Sequence, residues 1–337
     1  MNLKTIAKLA GVSTATVSNV INGNHHKVSQ ETIDKVQRII EETDYKPNAT
    51  ARSLASKKSK IIGVVVSNIG DMDNFFGNPH YAHLLALLEK YIRNHGYYMM
   101  LRCVNACRES IPLFSSWNVE GMIFFGTLQS DVEDVKSGIR VPAVFIDAYP
   151  DDQDVANVGV NDYKGGYLSG KYLLEKGHRE IAVIGTGLQY LGVMGQRYRG
   201  FCEACGQYGI RLDEDHVFDE KTAYPSGVEV GKRIAASAIP FTAVAVMSDI
   251  TAFGVMEGLR LGGKRVPEDV SVIGFDNLQE CQYTYPKLTT ISQNIELKAE
   301  KVGNLLLRMI QGEETASGRE LNDVEVVERD SVLDINA

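Results

Sequence analysis

A run of small polar residues near the amino terminus carries the side chains needed to hydrogen-bond with base edges. The run reads Ser13-Thr14-Ala15-Thr16-Val17-Ser18-Asn19-Val20-Ile21-Asn22. Val17, Val20 and Ile21 share one helical face, which leaves hydroxyl, amide and methyl groups on the others. A helix of this kind can enter a DNA major groove about 12 Å wide. The spacing therefore predicts DNA contacts from Thr14, Ala15, Thr16, Ser18, Asn19 and Asn22.

Short helices must position this polar face. Thr5 is predicted to cap a first helix, and Gly11 supplies the left-handed residue of a tight turn. Ser13 is predicted to cap the second helix. Thr5 and Ser13 are also expected to contact DNA. The apolar positions of the first and third helices are Ile6, Leu9, Ala10, Ile33, Val36, Ile39 and Ile40. A three-helix core without a ligand is the alternative, because helix–glycine–helix pairs are common.

The distribution of charge favours the DNA interpretation. The chain has a net charge of −8, yet residues 1–60 hold ten lysines and arginines against five acidic residues. Positive charge concentrated in one small segment of an acidic protein is typical of phosphate contact. A merely solvated basic face is the weaker explanation.

Beyond residue 60, apolar runs alternate with helical segments. The predicted strands are Ile61–Val66, Tyr98–Arg102, Gly121–Phe125, Ala143–Ile146, Ile181–Ile184, Ala243–Met247 and Val270–Gly274. Such alternation is typical of parallel sheets with helices on both faces. The 337 residues, 44% of them hydrophobic, are enough for two or three folding units.

Polar residues follow several of these strands, where open α/β sheets bind ligands. They include Thr127, Asp147, Ser248, Asp249 and Asp276. Carboxylates can accept hydrogen bonds from the hydroxyls of a sugar or nucleoside, and the Arg197 guanidinium can bridge vicinal oxygens. Capping of the following helix is the alternative role for each aspartate. For Asp249, ligand contact and capping are equally favoured.

Several other kinds of site are not expected. The five cysteines form no disulfide framework, which favours a reducing cytoplasm. Cys202-x-x-Cys205 lacks a second pair at zinc spacing, so no metal is expected. Gly185-x-Gly187 has Tyr190 in place of a third glycine, so no dinucleotide or other cofactor is expected. We also expect neither a secretion signal nor a membrane span.

Several motifs closely resemble the lactose- and galactose-repressor (LacI/GalR) family of bacterial transcription regulators. Those near the amino terminus are Ala10-Gly11-Val12-Ser13-x-x-Thr16-Val17-Ser18-x-Val20-Ile21-Asn22, Tyr45-x-Pro47-Asn48 and Ala51-Arg52-Ser53-Leu54. Those downstream include Arg197-x-x-Gly200-Phe201, Val266-Pro267-x-Asp269-Val270-Ser271-Val272-Ile273-Gly274-Phe275-Asp276 and Leu288-Thr289-Thr290-Ile291. The resemblance covers essentially the whole chain.

The resemblance implies an organisation in three parts. Residues 1–47 would form an all-α helix-turn-helix DNA-binding domain, and residues 48–60 a hinge helix or linker. Residues 61–337 would form an α/β effector-binding and dimerisation domain with a periplasmic-binding-protein-like fold and two parallel-sheet lobes. The expected lobes are about 61–159 with 292–322, and about 160–289 with 323–337.

The linker has a specific role in the family. The segment from Asn48 to Ala55 is too short to be stable as an isolated helix. In the family it forms paired hinge helices in the minor groove, which implies a homodimer in which Leu54 wedges between base pairs. The implied DNA contacts are Asn48, Ala51, Arg52 and Leu54. Packing of Leu54 on the core domain is the alternative.

The resemblance also points to effector residues. The family places Asp147 and Asp276 in its effector pocket. Asn78-Pro79-His80-Tyr81 resembles the family's Asn-Pro-Phe-Tyr, so His80 and Tyr81 are candidates for a wall of that pocket. A lone histidine that caps the start of a helix is the alternative interpretation of His80.

Together these observations predict a cytoplasmic, homodimeric transcription regulator, a repressor of a palindromic double-stranded operator, controlled by a small polar effector such as a sugar. A glycosidase or a transport receptor would not need the basic amino-terminal segment. A regulator that responds to a phosphocarrier protein, as in catabolite control, and a purine-responsive repressor remain alternatives.

Overall fold

The structure is a computed structural model that describes residues 2–21, 23–45, 58–67, 72–127, 129–149, 154–188, 192–313 and 318–336. Contacts divide the chain into two compact units, Met1–Lys60 and Ile61–Ala337. The first unit contains helices α1 (Leu3–Ala10), α2 (Thr14–Ile21) and α3 (Gln30–Glu42). Their shared core includes Ile6, Ala10, Val17, Val20, Ile33 and Val36.

The second unit contains twelve described strands and eight described helices. The strands are β1 (Ile61–Ser67), β2 (Tyr98–Val104), β3 (Gly121–Phe125), β4 (Ala143–Ile146), β5 (Asn157–Val160), β6 (Ile181–Gly185), β7 (Val217–Asp219), β8 (Ala243–Val246), β9 (Ser271–Asp276), β10 (Thr289–Ser292), β11 (Arg319–Asn322) and β12 (Glu325–Val327). The helices are α4 (Pro79–Asn94), α5 (Ser110–Ser116), α6 (Gln129–Gly138), α7 (Asp162–Glu175), α8 (Val193–Gln207), α9 (Tyr224–Ala235), α10 (Asp249–Leu261) and α11 (Ile295–Gln311).

The strands form two six-stranded sheets, one in each lobe. Lobe 1 has the parallel order β11-β5-β4-β3-β1-β2. Lobe 2 has the order β12-β10-β9-β8-β6-β7, in which only β12 is antiparallel to its neighbour. The predicted fold class, a helical DNA-binding region followed by a two-lobed α/β core, is confirmed.

The apolar runs of the central strands reflect burial on both sheet faces. In β1, Ile62, Val64 and Val66 enter one buried cluster, whereas Val65 enters the cluster on the opposite face. In β6, Ile181 and Val183 likewise face away from the cluster that contains Ala182 and Ile184. Alternating side chains point to opposite faces of a strand, so a strand covered on both faces must be apolar throughout.

The chain crosses between the lobes three times. It passes from β5 to α7, from β10 to α11, and from β11 to β12. The first and third crossings lie side by side and are joined by a hydrogen bond, in which the Asn161 amide donates to the Asn322 carbonyl over 3.0 Å. Each lobe is therefore assembled from separate stretches of sequence.

Some details differ from the sequence predictions. Asn2, not Thr5, caps α1: its side-chain oxygen accepts hydrogen bonds from the amide and the hydroxyl of Thr5, which lies inside the helix. Leu9 is 54% exposed, and Ala7 takes its expected place in the core. The prediction also missed five short strands, namely β5, β7, β10, β11 and β12. Within the described residues, no helix is both long and apolar enough to cross a lipid bilayer.

Candidate functional site

The turn between α1 and α2 forms as predicted. Gly11 has a φ of 68° and ends α1 in the left-handed conformation. Ser13 caps the next helix, since its hydroxyl accepts a 3.0 Å hydrogen bond from the Thr16 amide. A glycine in this conformation avoids the clash that a Cβ would cause, and the capping serine satisfies an otherwise unpaired amide.

The polar face of α2 lies opposite its core contacts. Val17 and Val20 are buried. The side chains predicted to read DNA are graded in exposure: Thr5, Ser13, Thr14 and Ala15 are exposed, and Thr16, Ser18 and Asn19 are half-buried. The outer face of α2 is therefore polar, and the small residue Ala15 is exposed near the start of the helix. The remaining predicted DNA contacts, Asn22, Asn48, Ala51, Arg52 and Leu54, lie outside the described residues.

A buried ion pair lies at the junction of the two lobes. Arg197, on α8, donates from Nε to Asp162 Oδ1 over 2.8 Å and from Nη1 to the Met247 carbonyl over 2.6 Å. Its guanidinium stacks on the ring of Phe275, with 3.6 Å between Cζ and the ring centroid. Arg197 Nη1 also lies 3.8 Å from Oδ1 of Asp276, the last residue of β9. Arginine suits this position because its planar group can stack and donate in a fixed fork.

A second buried cation lies on the side of lobe 1. Lys298, on α11, donates from Nζ to both carboxylate oxygens of Asp147 over 3.0 and 2.8 Å. It also donates to Gln293 Oε1 over 2.8 Å. Gln293 in turn donates from Nε2 to Asp276 Oδ1 over 2.5 Å, which connects the two cations through the crossing between β10 and α11.

We call these six residues the inter-lobe charge cluster: Asp147, Asp162, Arg197, Asp276, Gln293 and Lys298. Two of its aspartates have positive φ angles, 53° at Asp147 and 132° at Asp276. Such angles are uncommon for residues other than glycine and cluster at functional positions. The cluster lies at the carboxyl ends of the strands, where open α/β sheets bind ligands.

Burial changes the protonation of the cluster. Desolvation, reinforced by Asp249 and opposed by Arg197, raises the pKa of Asp276 to about 7. Desolvation also raises the pKa of Asp162 above its ordinary value, against the opposing effect of Arg197. Burial disfavours a carboxylate unless a cation or donors compensate for the lost water. Asp276 can therefore exchange a proton near neutral pH.

His80 and Tyr81 approach the cluster from the start of α4. His80 Nδ1 is 3.9 Å from Asp276 Oδ1, too far for a hydrogen bond, and it has no hydrogen-bond partner among the described residues. Burial, with Lys298 and Arg197 nearby, holds the pKa of His80 well below 6.5, so the ring is neutral at pH 7. Asn78 supplies the cap of α4, so capping is not the role of His80.

Tyr81 belongs to an aromatic group beside the cluster. Its ring stacks on Phe75 with 5.4 Å between centroids and meets Phe125 edge-on at 5.1 Å. Burial and the charge of Asp276 raise its pKa to about 12, so the phenol keeps its proton. Aromatic pairs of this geometry add rigidity as well as buried area. Tyr81 thus lies where it can form a wall next to Asp276.

Three predicted effector residues are already engaged elsewhere. The buried Asp249 carboxylate accepts from the Leu278 amide, the Cys281 thiol and the Thr290 hydroxyl. Ser248 donates to the Thr251 hydroxyl over 2.8 Å. Thr127 lies 3.2 Å from the buried Cys107 sulfur. Asp249 is the first residue of α10, yet its carboxylate bonds to residues that follow β9 and lie in β10, so its role is neither the predicted effector contact nor the alternative of capping the following helix.

Three cluster residues were missed by sequence reasoning. Asp162 follows β5, which was not predicted, so its place at a strand end was hidden. Gln293 follows β10, which was also not predicted. Lys298 lies in the first half of α11, where a lysine normally signals a solvent-exposed face. The apolar residues around it, Ile295, Ala299 and Val302, were the available signal for burial.

Of two cavities among the described residues, one touches this region. One of about 210 Å³ borders the cluster, and Tyr149, Asp162, Gln196 and Arg319 are among the residues that line it. A larger one of about 810 Å³, lined in part by Phe253 and Tyr285, contains none of the predicted effector residues. The smaller cavity is the one that the chemistry of the cluster reaches.

Comparisons with known proteins agree with this architecture. Residues 2–48 match the family of bacterial regulatory proteins of the lacI type, and residues 171–332 match the periplasmic binding protein-like domain. The HTH-type transcriptional repressor PurR of Mannheimia succiniciproducens is 32% identical over 314 residues, which cover 91% of each chain.

Two solved structures are similar over nearly their whole length. A lac repressor dimer bound to operator and the anti-inducer ONPF has a TM-score of 0.88 at 27% identity, with 99% of each chain covered. A complex of the transcriptional regulator CelR with cellobiose has a TM-score of 0.74 at 28% identity, with 98% of this chain and 99% of that chain covered. With its helix-turn-helix unit and its two-lobed core, the chain belongs to the lacI family of bacterial regulatory proteins and is a DNA-binding transcriptional regulator.

Proposed function

We propose that this regulator is a repressor that binds a palindromic operator as a homodimer and releases or tightens its hold when a small polar effector binds between the lobes. The effector is a sugar or a related metabolite. Arg197, Asp276, His80 and Tyr81 contact it. The protein carries out this role in the bacterial cytoplasm and catalyses no reaction.

The observation that carries this proposal is the inter-lobe charge cluster. Asp276 belongs to lobe 2, whereas His80 belongs to lobe 1, and only 3.9 Å separates Oδ1 of Asp276 from Nδ1 of His80. A ligand that contacts both side chains interacts differently with each arrangement of the lobes. Such a difference in affinity is what shifts a conformational equilibrium, and a coupling of roughly 1–3 kcal/mol is enough for a useful switch.

The relatives support the DNA and effector parts of the proposal. The lac repressor structure is a dimer on operator DNA, the PurR relative is a transcriptional repressor, and CelR is complexed with cellobiose. The PurR similarity keeps a purine effector open as a second candidate. A phosphocarrier protein remains an alternative regulator, so both alternatives enter the experiment as separate arms.

The test begins with operators selected from a random DNA library by the full chain. Their affinity is then measured by fluorescence anisotropy with sugars, glycosides, nucleosides and purines, and in a further arm with a phosphorylated phosphocarrier protein. We expect at least one small molecule to change operator affinity in the wild type. Arg197→Ala should keep operator binding and lose the ligand effect, because Arg197 lies in the cluster and outside the DNA-binding unit.

Arg199→Ala is the matched control, since Arg199 is on the same helix but exposed. It should respond to the ligand like the wild type. Arg197→Lys keeps the charge without the planar fork, so it serves as a second variant if Arg197→Ala is unstable. A normal ligand response in Arg197→Ala would show that the effector binds elsewhere. Regulation by the phosphocarrier alone would overturn the small-molecule proposal.

A further inference from the structure

Lys298 is a charged side chain with no access to solvent. The residue is 0% exposed, although it lies in the first half of α11 near the crossing from lobe 2. A lysine is almost never fully buried unless it is paired, because removing its charge from water is unfavourable. Its Nζ makes three hydrogen bonds, two to Asp147 and one to Gln293, so all three donors of the ammonium are used.

Asp147 faces this lysine from the end of β4. Both of its oxygens accept from Lys298 Nζ, and its side chain is 15% exposed against 0% for Lys298. Its positive φ turns the backbone out of the strand direction at this position. Asp147 therefore accepts two of the three hydrogen bonds of the ammonium, which an anionic group of a ligand would otherwise accept.

The other buried cation is compensated in the same way. Arg197 is held by Asp162 and the Met247 carbonyl, with Asp276 at 3.8 Å. His80 adds no positive charge at pH 7 because burial keeps its ring neutral. The cluster thus holds two cations against the carboxylates of Asp147 and Asp162, with Asp276 exchanging a proton near neutral pH, so it offers no surplus positive charge to an incoming anion.

We propose that Lys298 determines effector specificity: with Asp147 as its built-in counter-ion, it excludes phosphorylated and carboxylate-bearing effectors and restricts the site to uncharged, hydroxyl-rich ones. This inference rests on the proposed function, because it concerns the same site. Asp147 occupies the position of an anionic ligand group, so a phosphate must either displace it or lie beside Asp276. A hydroxyl group instead donates to Asp276 without adding charge to a buried site.

Inorganic phosphate is the probe, since it tests the cation without requiring the effector. Thermal unfolding of the full chain is followed at about pH 6, far below the ordinary lysine pKa of about 10.4, with ionic strength held constant. Ligand that binds only the folded state raises Tm in a saturable manner. We expect no saturable rise in the wild type. Asp147→Ala should show a saturable rise in Tm of at least ~2 °C, because removal of the carboxylate opens Lys298 to the anion.

Two further variants make the result specific. Asp147→Ala with Lys298→Met should lose the gain, because the cation is removed as well. Asp323→Ala is the matched control. It also deprives a lysine, Lys164, of its carboxylate partner, but this ion pair is exposed to solvent. It should behave like the wild type. If Asp147→Ala does not fold, the isosteric Asp147→Asn takes its place.

Two outcomes would overturn the specificity role. One is a saturable phosphate response in the wild type as large as in Asp147→Ala, which would mean that the pair does not exclude anions. The other is no response in either Asp147 variant, which would mean that Lys298 does not attract an anion. Because this experiment uses neither DNA nor effector, it can fail while the operator experiment succeeds, and the reverse.

Discussion

Asp276 is a residue of the cluster whose charge can change near neutral pH. It accepts from Gln293, lies 3.8 Å from Arg197 and 3.9 Å from His80, and its pKa is raised to about 7 by burial. The folded protein therefore holds a proton that the unfolded chain, with an ordinary aspartate pKa near 3.9, has already released. Protonation of this one group is consequently linked to folding.

The sign of that linkage predicts a pH profile. Between about pH 5 and pH 7 the folded state binds more protons at Asp276 than the unfolded state, so its contribution to stability falls as pH rises. The difference in unfolding free energy between wild type and Asp276→Asn should decrease by about 1 kcal/mol per pH unit over this range and level off above it. Urea titrations at a series of pH values measure this. A difference independent of pH would contradict the raised pKa.

Asn19 is the residue from which a base preference can be predicted. It lies half-buried on the polar face of α2. An asparagine amide pairs bidentately with adenine, whereas an arginine pairs with guanine, and each such contact discriminates by about 1–3 kcal/mol. Operators selected by the wild type should prefer A·T at one position per half-site, and those selected by Asn19→Arg should prefer G·C there. The same preference in both selections would rule out direct readout by Asn19.

At the scale of elements, the cluster depends on how closely α7 and α8 approach. Gly166 on α7 faces the backbone of Arg197, and Gly200 on α8 faces the carbonyl of Tyr163. A Cβ at either glycine would overlap with backbone atoms of the other helix. The two glycines therefore allow the separation at which Asp162, the first residue of α7, meets Arg197 on α8.

This contact predicts opposite results for two similar substitutions. Gly166→Ala must push the helices apart, so it should destabilise the protein by about 1–3 kcal/mol or more and weaken the ligand effect on DNA. Gly206→Ala lies on the partner helix α8 but has no neighbouring atom within 4 Å. It should stabilise the fold by about 0.5–1 kcal/mol through helix propensity. The urea midpoints of unfolding of the two variants measure these effects. Equal changes in stability would contradict the close-contact role of Gly166.

Central and edge strands differ in how well the sequence predicts them. The strongly apolar strands β1, β3 and β6 were predictable because two covered faces demand continuous apolar residues. The edge strands β7, β11 and β12 have three or four residues with polar members, such as Arg319 and Glu320, and show no such pattern. Edge strands make fewer core contacts, so periodicity carries little information about them.

The candidate site was predictable in part for a similar reason. Aspartates that follow strongly apolar strands, such as Asp147 and Asp276, stand out in the sequence. Lys298 and Gln293 reach the site through a crossing between lobes, and this contact joins residues 151 positions apart in the case of Lys298 and Asp147. Long-range pairing of this kind leaves no local signature.

At the scale of the whole molecule, Tyr149 provides a direct contact between the lobes. It follows β4 in lobe 1, and its hydroxyl donates to Asp162 at the start of α7 in lobe 2. Burial and the charge of Asp162 raise the pKa of Tyr149 well above its usual value, so the phenol stays protonated and remains a donor. The bond is a non-covalent connection between the lobes in addition to the covalent crossings.

Removal of this hydroxyl should loosen the crossings without emptying a core position. We expect Tyr149→Phe to speed amide hydrogen exchange in 157–163 and 319–323 by roughly two- to tenfold, which corresponds to the 0.5–1.5 kcal/mol net contribution of one hydrogen bond. Tyr208→Phe is the control, because Tyr208 is 41% exposed on lobe 2. In Tyr208→Phe, amide hydrogen exchange in both segments should proceed at the wild-type rate. Unchanged protection in Tyr149→Phe would show that the bond does not restrain the lobes.

The three crossings also determine the order in which the molecule can be completed on the ribosome. The first lobe needs α11, whose Val302 and Leu306 fill its core, and the edge strand β11. Both are translated after nearly all of the second lobe. At synthesis rates of about 5–20 residues per second, the early strands wait roughly ten seconds or more with an unfilled core. A chain that stops before residue 295 should therefore be a substrate for chaperones and proteases rather than a smaller functional protein.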